Sequence, residues 1–176
     1  PPYLREIEVF DPQTTTTHRR LSGDLYPSSG DEYRSFNLNF VLETLDAPRE
    51  IYIRLKTSSS TMSFLEAYHL DDLQKADQNQ TIFFSAYLFF LFVTFVLAVF
   101  FYGIDRDRLF AAYALKQFSY ILWAVAVFGI YRYYTDNLFI PTSVYMCGAV
   151  VFVTLASQMF DVSFFKDLGA PRSEEH

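Results

Sequence analysis

Between Thr81 and Ile104 the chain reads TIFFSAYLFFLFVTFVLAVFFYGI, 24 residues without a charge. As a helix rising 1.5 Å per residue this segment is about 36 Å long, enough to cross the hydrocarbon core of a bilayer. The rest of the chain is too small to bury such a helix on every side, so the segment reads as a membrane span. Two more apolar stretches follow: Leu109 to Tyr131, interrupted only by Lys116, and Phe139 to Phe160, with no charge. The sequence predicts three spans near 81–104, 109–131 and 139–160. The connections, 105–108 and 132–138, are short, so successive spans should be antiparallel neighbours.

The charges show that two solvents are involved. Residues 1–80 carry 8 of the 14 Lys+Arg and 13 of the 20 Asp+Glu, so most of the formal net charge of -6 lies in this half. No basic surface is available for nucleic acid. The single cysteine, Cys147, forms neither an internal disulfide nor a metal cluster by itself. The chain opens on Pro1-Pro2 without a secretory leader and ends in a polar stub, 161–176, so it reads as a fragment of a longer protein.

Orientation follows from Lys and Arg near the span ends. Arg106, Arg108, Lys166 and Arg172 lie on one side, against Lys75 and Arg132 on the other. This bias puts the turn Asp105–Arg108 in the cytoplasm and the N-terminal half outside. Small residues recur seven apart, Ala112, Ser119 and Ala126 in the second span and Ala149 and Ala156 in the third. Such stripes let helix backbones approach and should face other helices. Lys116 lies within snorkelling reach of the Arg108 turn, and an interfacial position explains it without a transport role.

Residues 1–78 read as β-rich. Ile51–Lys56 alternates aliphatic residues with Tyr52, Arg54 and Lys56, and Arg34–Leu42 alternates Phe36, Leu38 and Phe40 with Ser35, Asn37 and Asn39. Tyr3–Phe10 and Met62–His69 are weaker strand candidates, and Arg19–Leu25 is a short edge candidate. Turn chemistry separates them, as in Pro27-Ser28-Ser29-Gly30-Asp31. Short strands at this spacing suggest a β-sandwich, and four or five make only part of one. Asp71 to Gln80 holds neither Gly nor Pro and can continue as helix into the first span, so movement of the β-rich half would be transmitted. His18 and His69 are not accompanied by a metal or phosphate motif; no catalytic residue, metal ligand or cofactor is expected.

The order of parts resembles the bacterial seven-transmembrane receptors with diverse intracellular signalling modules. The turn Asp105-Arg106-Asp107-Arg108-Leu109-Phe110-Ala111-Ala112-Tyr113 is similar to that family's Arg-Asp-Arg first cytoplasmic turn, which continues with an aromatic-Leu pair and a Tyr. Leu21-Ser22-Gly23-Asp24-Leu25-Tyr26-Pro27 resembles its Gly-Asp-x-x-Pro segment, and Ile51–Ser59 its Tyr-Leu-Arg-Val-x-Ser-Ser strand. Phe160-Asp161-Val162-Ser163-Phe164-Phe165 is similar to its Phe-x-x-x-Phe-Leu exit. The first span departs from the pattern in lacking a Gly near its start and an Asn near its middle, and the turn carries an extra Asp105.

The resemblance implies the C-terminal part of a jelly-roll-like sensor domain (1–78), three of seven spans (79–160) and a truncated polar stub (161–176). The protein would reside in the bacterial inner membrane with its sensor domain periplasmic or extracellular. It would bind a small molecule or glycan and signal to a cytoplasmic output such as a diguanylate cyclase or histidine kinase, the fragment itself being no enzyme. Membrane lipid and a second copy of the chain are its other candidate partners. Sugar rings stack on aromatics while their hydroxyls need hydrogen-bonding groups, which makes Tyr26, Tyr33, Arg34 and Arg54 the ligand-binding candidates. For Arg54 an ion pair with a nearby acid competes with that role. The alternative function is a non-signalling membrane protein, an accessory subunit or transporter fragment whose β domain docks a partner.

Overall fold

A computed structural model of the chain describes residues 4–12, 20–23, 25–44, 47–56, 65–135 and 141–169. Strand β1 (Glu6–Phe10) pairs antiparallel with β2 (Arg20–Ser22) and with β3 (Tyr52–Lys56), giving the order β2-β1-β3. The alternation in β1 separates two faces. Ile7 and Val9 join Leu4 in a small core, against which Leu38, Phe40 and Ile51 pack. On the opposite face the register sets Glu6 across from Lys56, Glu8 from Arg54 and Phe10 from Tyr52. Opposite charges and paired rings across strands stabilise this one register over a slipped one.

The strand expected over 34–42 is not formed. These residues run without ladder pairing because their side chains find other partners. Leu38 and Phe40 reach the core, while Asn37 donates from Nδ2 to Gln80 Oε1 at 2.8 Å. The Ser35 hydroxyl accepts the Asn37 N–H at 3.0 Å, a local turn that competes with a strand. β3 forms within the expected run 51–56 and is exposed on both faces along its length. Of the candidate strand 62–69, residues 62–64 lie outside the described residues and 65–69 take no regular structure. One three-stranded sheet is what the described residues form.

Helix α1 (Leu70–Asp105) is 36 residues long and includes the polar link, as its lack of Gly and Pro allows. Asp71 and Asp72 in the first turn complement the positive end of the helix dipole. Only Arg106 and Asp107 separate α1 from α2 (Arg108–Val127). Arg106 takes a left-handed conformation at φ 56°, and Asp107 Oδ1 accepts the Leu109 N–H at 2.9 Å, capping α2. The second span differs from the continuous helix expected. Gly129, at φ 71°, ends α2 and starts the short helix α3 (Ile130–Tyr134). Helix α4 (Thr142–Gly169) follows. Three helices, α1, α2 and α4, are long and apolar enough to cross a membrane.

The chain divides into two compact units. One comprises 1–81 with 125–146, and so holds the sheet, the start of α1 and α3. The other comprises 82–124 with 147–176 and contains the apolar lengths of the long helices. In this helical unit small residues dominate the buried positions: Ala112, Ser119, Ala149 and Ala156, as their seven-residue spacing predicts, Ala114 and Ala124 off that spacing, and Leu91 and Ala98 of α1. Rings fasten the helices, Phe95 to Phe118 at 5.9 Å, Phe101 to Phe110 at 5.5 Å and Tyr113 to Phe160 at 5.6 Å. Lys116 sets its ammonium 4.5 Å from the centre of the Phe160 ring. A cation over an aromatic face is stabilised without leaving the helical surface.

Candidate functional site

In the first unit the most constrained side chain belongs to Arg132. Gly129 turns the chain, and a single helical turn follows, closed by Tyr133 N–H to Gly129 O at 3.0 Å and Thr135 N–H to Tyr131 O at 3.1 Å. That turn distributes its residues among different neighbours. Tyr131 stacks on Tyr145 at 4.8 Å, Tyr133 meets Phe36 at 4.8 Å, and Arg132 enters the loop that follows β2.

The receiving loop is built from residues 22, 23 and 25–31. Tyr26 N–H closes on Gly23 O at 3.1 Å, and a 3-10 turn over Ser28–Gly30 brings Asp31 back toward Ser22. Ser22 donates its hydroxyl to Asp31 Oδ1 at 2.5 Å. Arg132 then uses all three guanidinium nitrogens. Nε donates to the carbonyls of Gly23 at 3.1 Å and Tyr26 at 3.2 Å. Nη2 donates to Ser22 Oγ at 3.2 Å and to Asp31 Oδ1 at 2.9 Å, while Nη1 lies 2.7 Å from Asp31 Oδ2. Both charged side chains are 1% exposed.

Taking two charges out of water is costly, and the planar fork of arginine offsets that cost by reaching both carboxylate oxygens as lysine would not; Asp31 Oδ2 meets Nη1 as an ion pair without a hydrogen bond. Gly23 is required by its own backbone. Its φ is 146°, and a Cβ there would stand 2.5 Å from the Arg5 carbonyl oxygen. The Tyr133 carbonyl extends the contact, accepting Arg34 Nη2 at 2.6 Å and Ser28 Oγ at 3.2 Å.

The four ligand candidates are not gathered at one point. Tyr26 donates to Glu6 Oε2 at 3.3 Å and gives its carbonyl to Arg132. Tyr33 lies beside Asp77 of α1, and burial together with that carboxylate raises its phenol above the ordinary value. Arg34 lies 4.7 Å over the Tyr133 ring. Arg54 stands apart on β3, paired with Glu8 at 3.4 Å, the ion pair that competed with a ligand role. Sequence reasoning missed Arg132 and Asp31, counting the first only as a topology charge. The available signal was a lone arginine inside the aromatic run Tyr131-Arg132-Tyr133-Tyr134. Among the described residues no group of three or more His, Cys, Asp or Glu side chains could hold a metal ion.

The arrangement acts as a joint. It ties the sheet-bearing part of the chain to the connection between its second and third membrane helices, residues about 100 apart in sequence. No family model, no curated protein and no solved structure matches the chain.

Proposed function

We propose that the protein is a signal-transducing receptor of the bacterial inner membrane. Its β-rich unit, part of a jelly-roll-like sensor domain, senses a small molecule or glycan outside the membrane. The helices carry the response to the cytoplasmic side, where the Asp105–Arg108 turn lies. The observation that carries this reading is the buried Arg132–Asp31 pair. A tether or passive anchor needs no dry, multiply bonded contact between its outer domain and an interhelical connection, whereas a transmitter does. The resemblance of the 105–113 and 21–27 stretches to the seven-transmembrane receptor family supports the same reading.

A second reading, a docking subunit, is favoured by β3. Among the described residues this exposed edge strand pairs on one side only, which leaves its other edge for a partner's strand. One experiment separates the two. The full chain in lipid nanodiscs carries spin labels at Asp105→Cys and Lys166→Cys in a Cys147→Ser background and is titrated with cell-envelope glycan fragments. Saturable binding that shifts the label-to-label distance is the expected result. Binding that leaves the distance unchanged refutes transmission, and absence of binding removes glycans as the ligand class.

A further inference from the structure

We propose that Asp31–Asn37 is a clasp that holds the outer end of α1 and the α3 turn in one arrangement, and that its release is the switching step of the receptor. This rests on the receptor reading above and names the device within it. The segment divides its side chains between two partners. Asn37 hydrogen-bonds Gln80 of α1 at 2.8 Å, and Tyr33, four residues earlier, stands beside Asp77 on the same face of that helix. Asp31, Arg34 and Phe36 reach Arg132 and Tyr133 of α3.

The bend between these contacts is fixed from inside. Ser35 is buried, and its Oγ accepts the Asn37 N–H at 3.0 Å and Asn39 Nδ2 at 2.6 Å. Glu32 faces the other way, taking the Arg20 guanidinium of β2 and the Val41 N–H at 2.8 Å. Seven consecutive residues therefore link the sheet, α1 and the α3 turn. A change at the sheet reaches both helical partners through Glu32 and Asp31. Packed contacts of this kind have discrete arrangements and do not deform continuously, so the clasp is either made or broken.

The test uses the same labelled full chain in nanodiscs, without added glycan. Asp31→Asn, Arg34→Ala with Phe36→Ala, and Tyr33→Phe with Asn37→Ala each loosen one side of the clasp. Hydrogen exchange over Phe36 to Asn39 reports whether it has opened. A minor conformer of such a switch holds about 0.1–10% of molecules, and opening should make its label distance the major one. Faster exchange with an unchanged distance overturns the proposal. If Asp31→Asn does not fold, the Tyr33→Phe and Asn37→Ala pair still decides, because it leaves the buried ion pair intact. A glycan that shifts the labels in wild-type protein while the opened variants do not keeps the receptor reading and removes the clasp. A shift in the variants with no glycan response keeps the clasp and removes glycan sensing.

Discussion

Replacing Asp31 by Asn leaves the Arg132 guanidinium buried at 1% exposure without its counter-ion. The shape of the site is unchanged, so the loss is electrostatic. Two charge-assisted contacts at 2.9 and 2.7 Å are weakened or reversed, and breaking one partner of a buried pair costs about 3–5 kcal/mol. At about 1.4 kcal/mol per factor of ten, ladder amides of β1 and β3 should lose roughly two to three and a half powers of ten in hydrogen-exchange protection. The double variant Asp31→Leu with Arg132→Met removes both charges and should recover most of that loss, since apolar replacements of buried pairs are often neutral. An internal control is Arg54→Ala. Its pair with Glu8 is 70% exposed on the arginine side, and surface pairs contribute about 0–1 kcal/mol. If Asp31→Asn costs no more than Arg54→Ala, the reasoning about Arg132 is wrong.

Gly23→Ala should destabilise the first unit by about 1–3 kcal/mol or more, read from the denaturation midpoint, because its Cβ would stand against Arg5 and Glu6 backbone at φ 146°; an effect below about 0.5 kcal/mol would contradict the close approach. Burial by itself would raise the Glu32 carboxyl, but hydrogen bonds from Arg20 and the Val41 N–H hold it below its ordinary value. Its contribution is therefore present above the ordinary carboxylate range and lost as pH falls through the lowered value. Thermal unfolding followed from about pH 6 to pH 3 should show that loss, beginning around the free Glu value of about 4.3, and Glu32→Gln should flatten it. A cysteine at Asp107 in intact cells should resist a membrane-impermeant thiol reagent added outside; modification there would invert the proposed orientation.

The spans were legible because their signal is local: long charge-free runs, and small residues seven apart that prove to be buried at Ala112, Ser119, Ala149 and Ala156. β1 and β3 were legible by their alternation. Arg34–Leu42 has the same alternation without the strand, because its even positions are taken by α3 (Arg34, Phe36) and the core (Leu38, Phe40) while Ser35, Asn37 and Asn39 bond one another and Gln80. Periodicity records that side chains divide between two environments and does not say that a ladder lies between them. The break at Gly129 was hidden inside an apolar run where composition outweighs one glycine. Asp31 and Arg132 could not be paired from sequence, since turn residues and interfacial cations are common singly and their meeting depends on tertiary contact.

Helix α1 is 36 residues long, about 54 Å, against a hydrocarbon thickness of about 30 Å. Its polar opening from Leu70 to Gln80 is a rigid lever arm of roughly 16 Å. A rocking of about 10°, within the tilts that membrane helices show, would carry the tip of such an arm sideways by nearly 3 Å. Asp77 and Gln80 lie toward its fulcrum and would move less, by about an ångström or under, yet a hydrogen bond at 2.8 Å tolerates little more than that before it is lost. The mechanical advantage thus runs from Leu70 toward Gln80. A broad displacement near Leu70 is geared down to a small motion where the apolar length of the helix begins, delivered with correspondingly greater force.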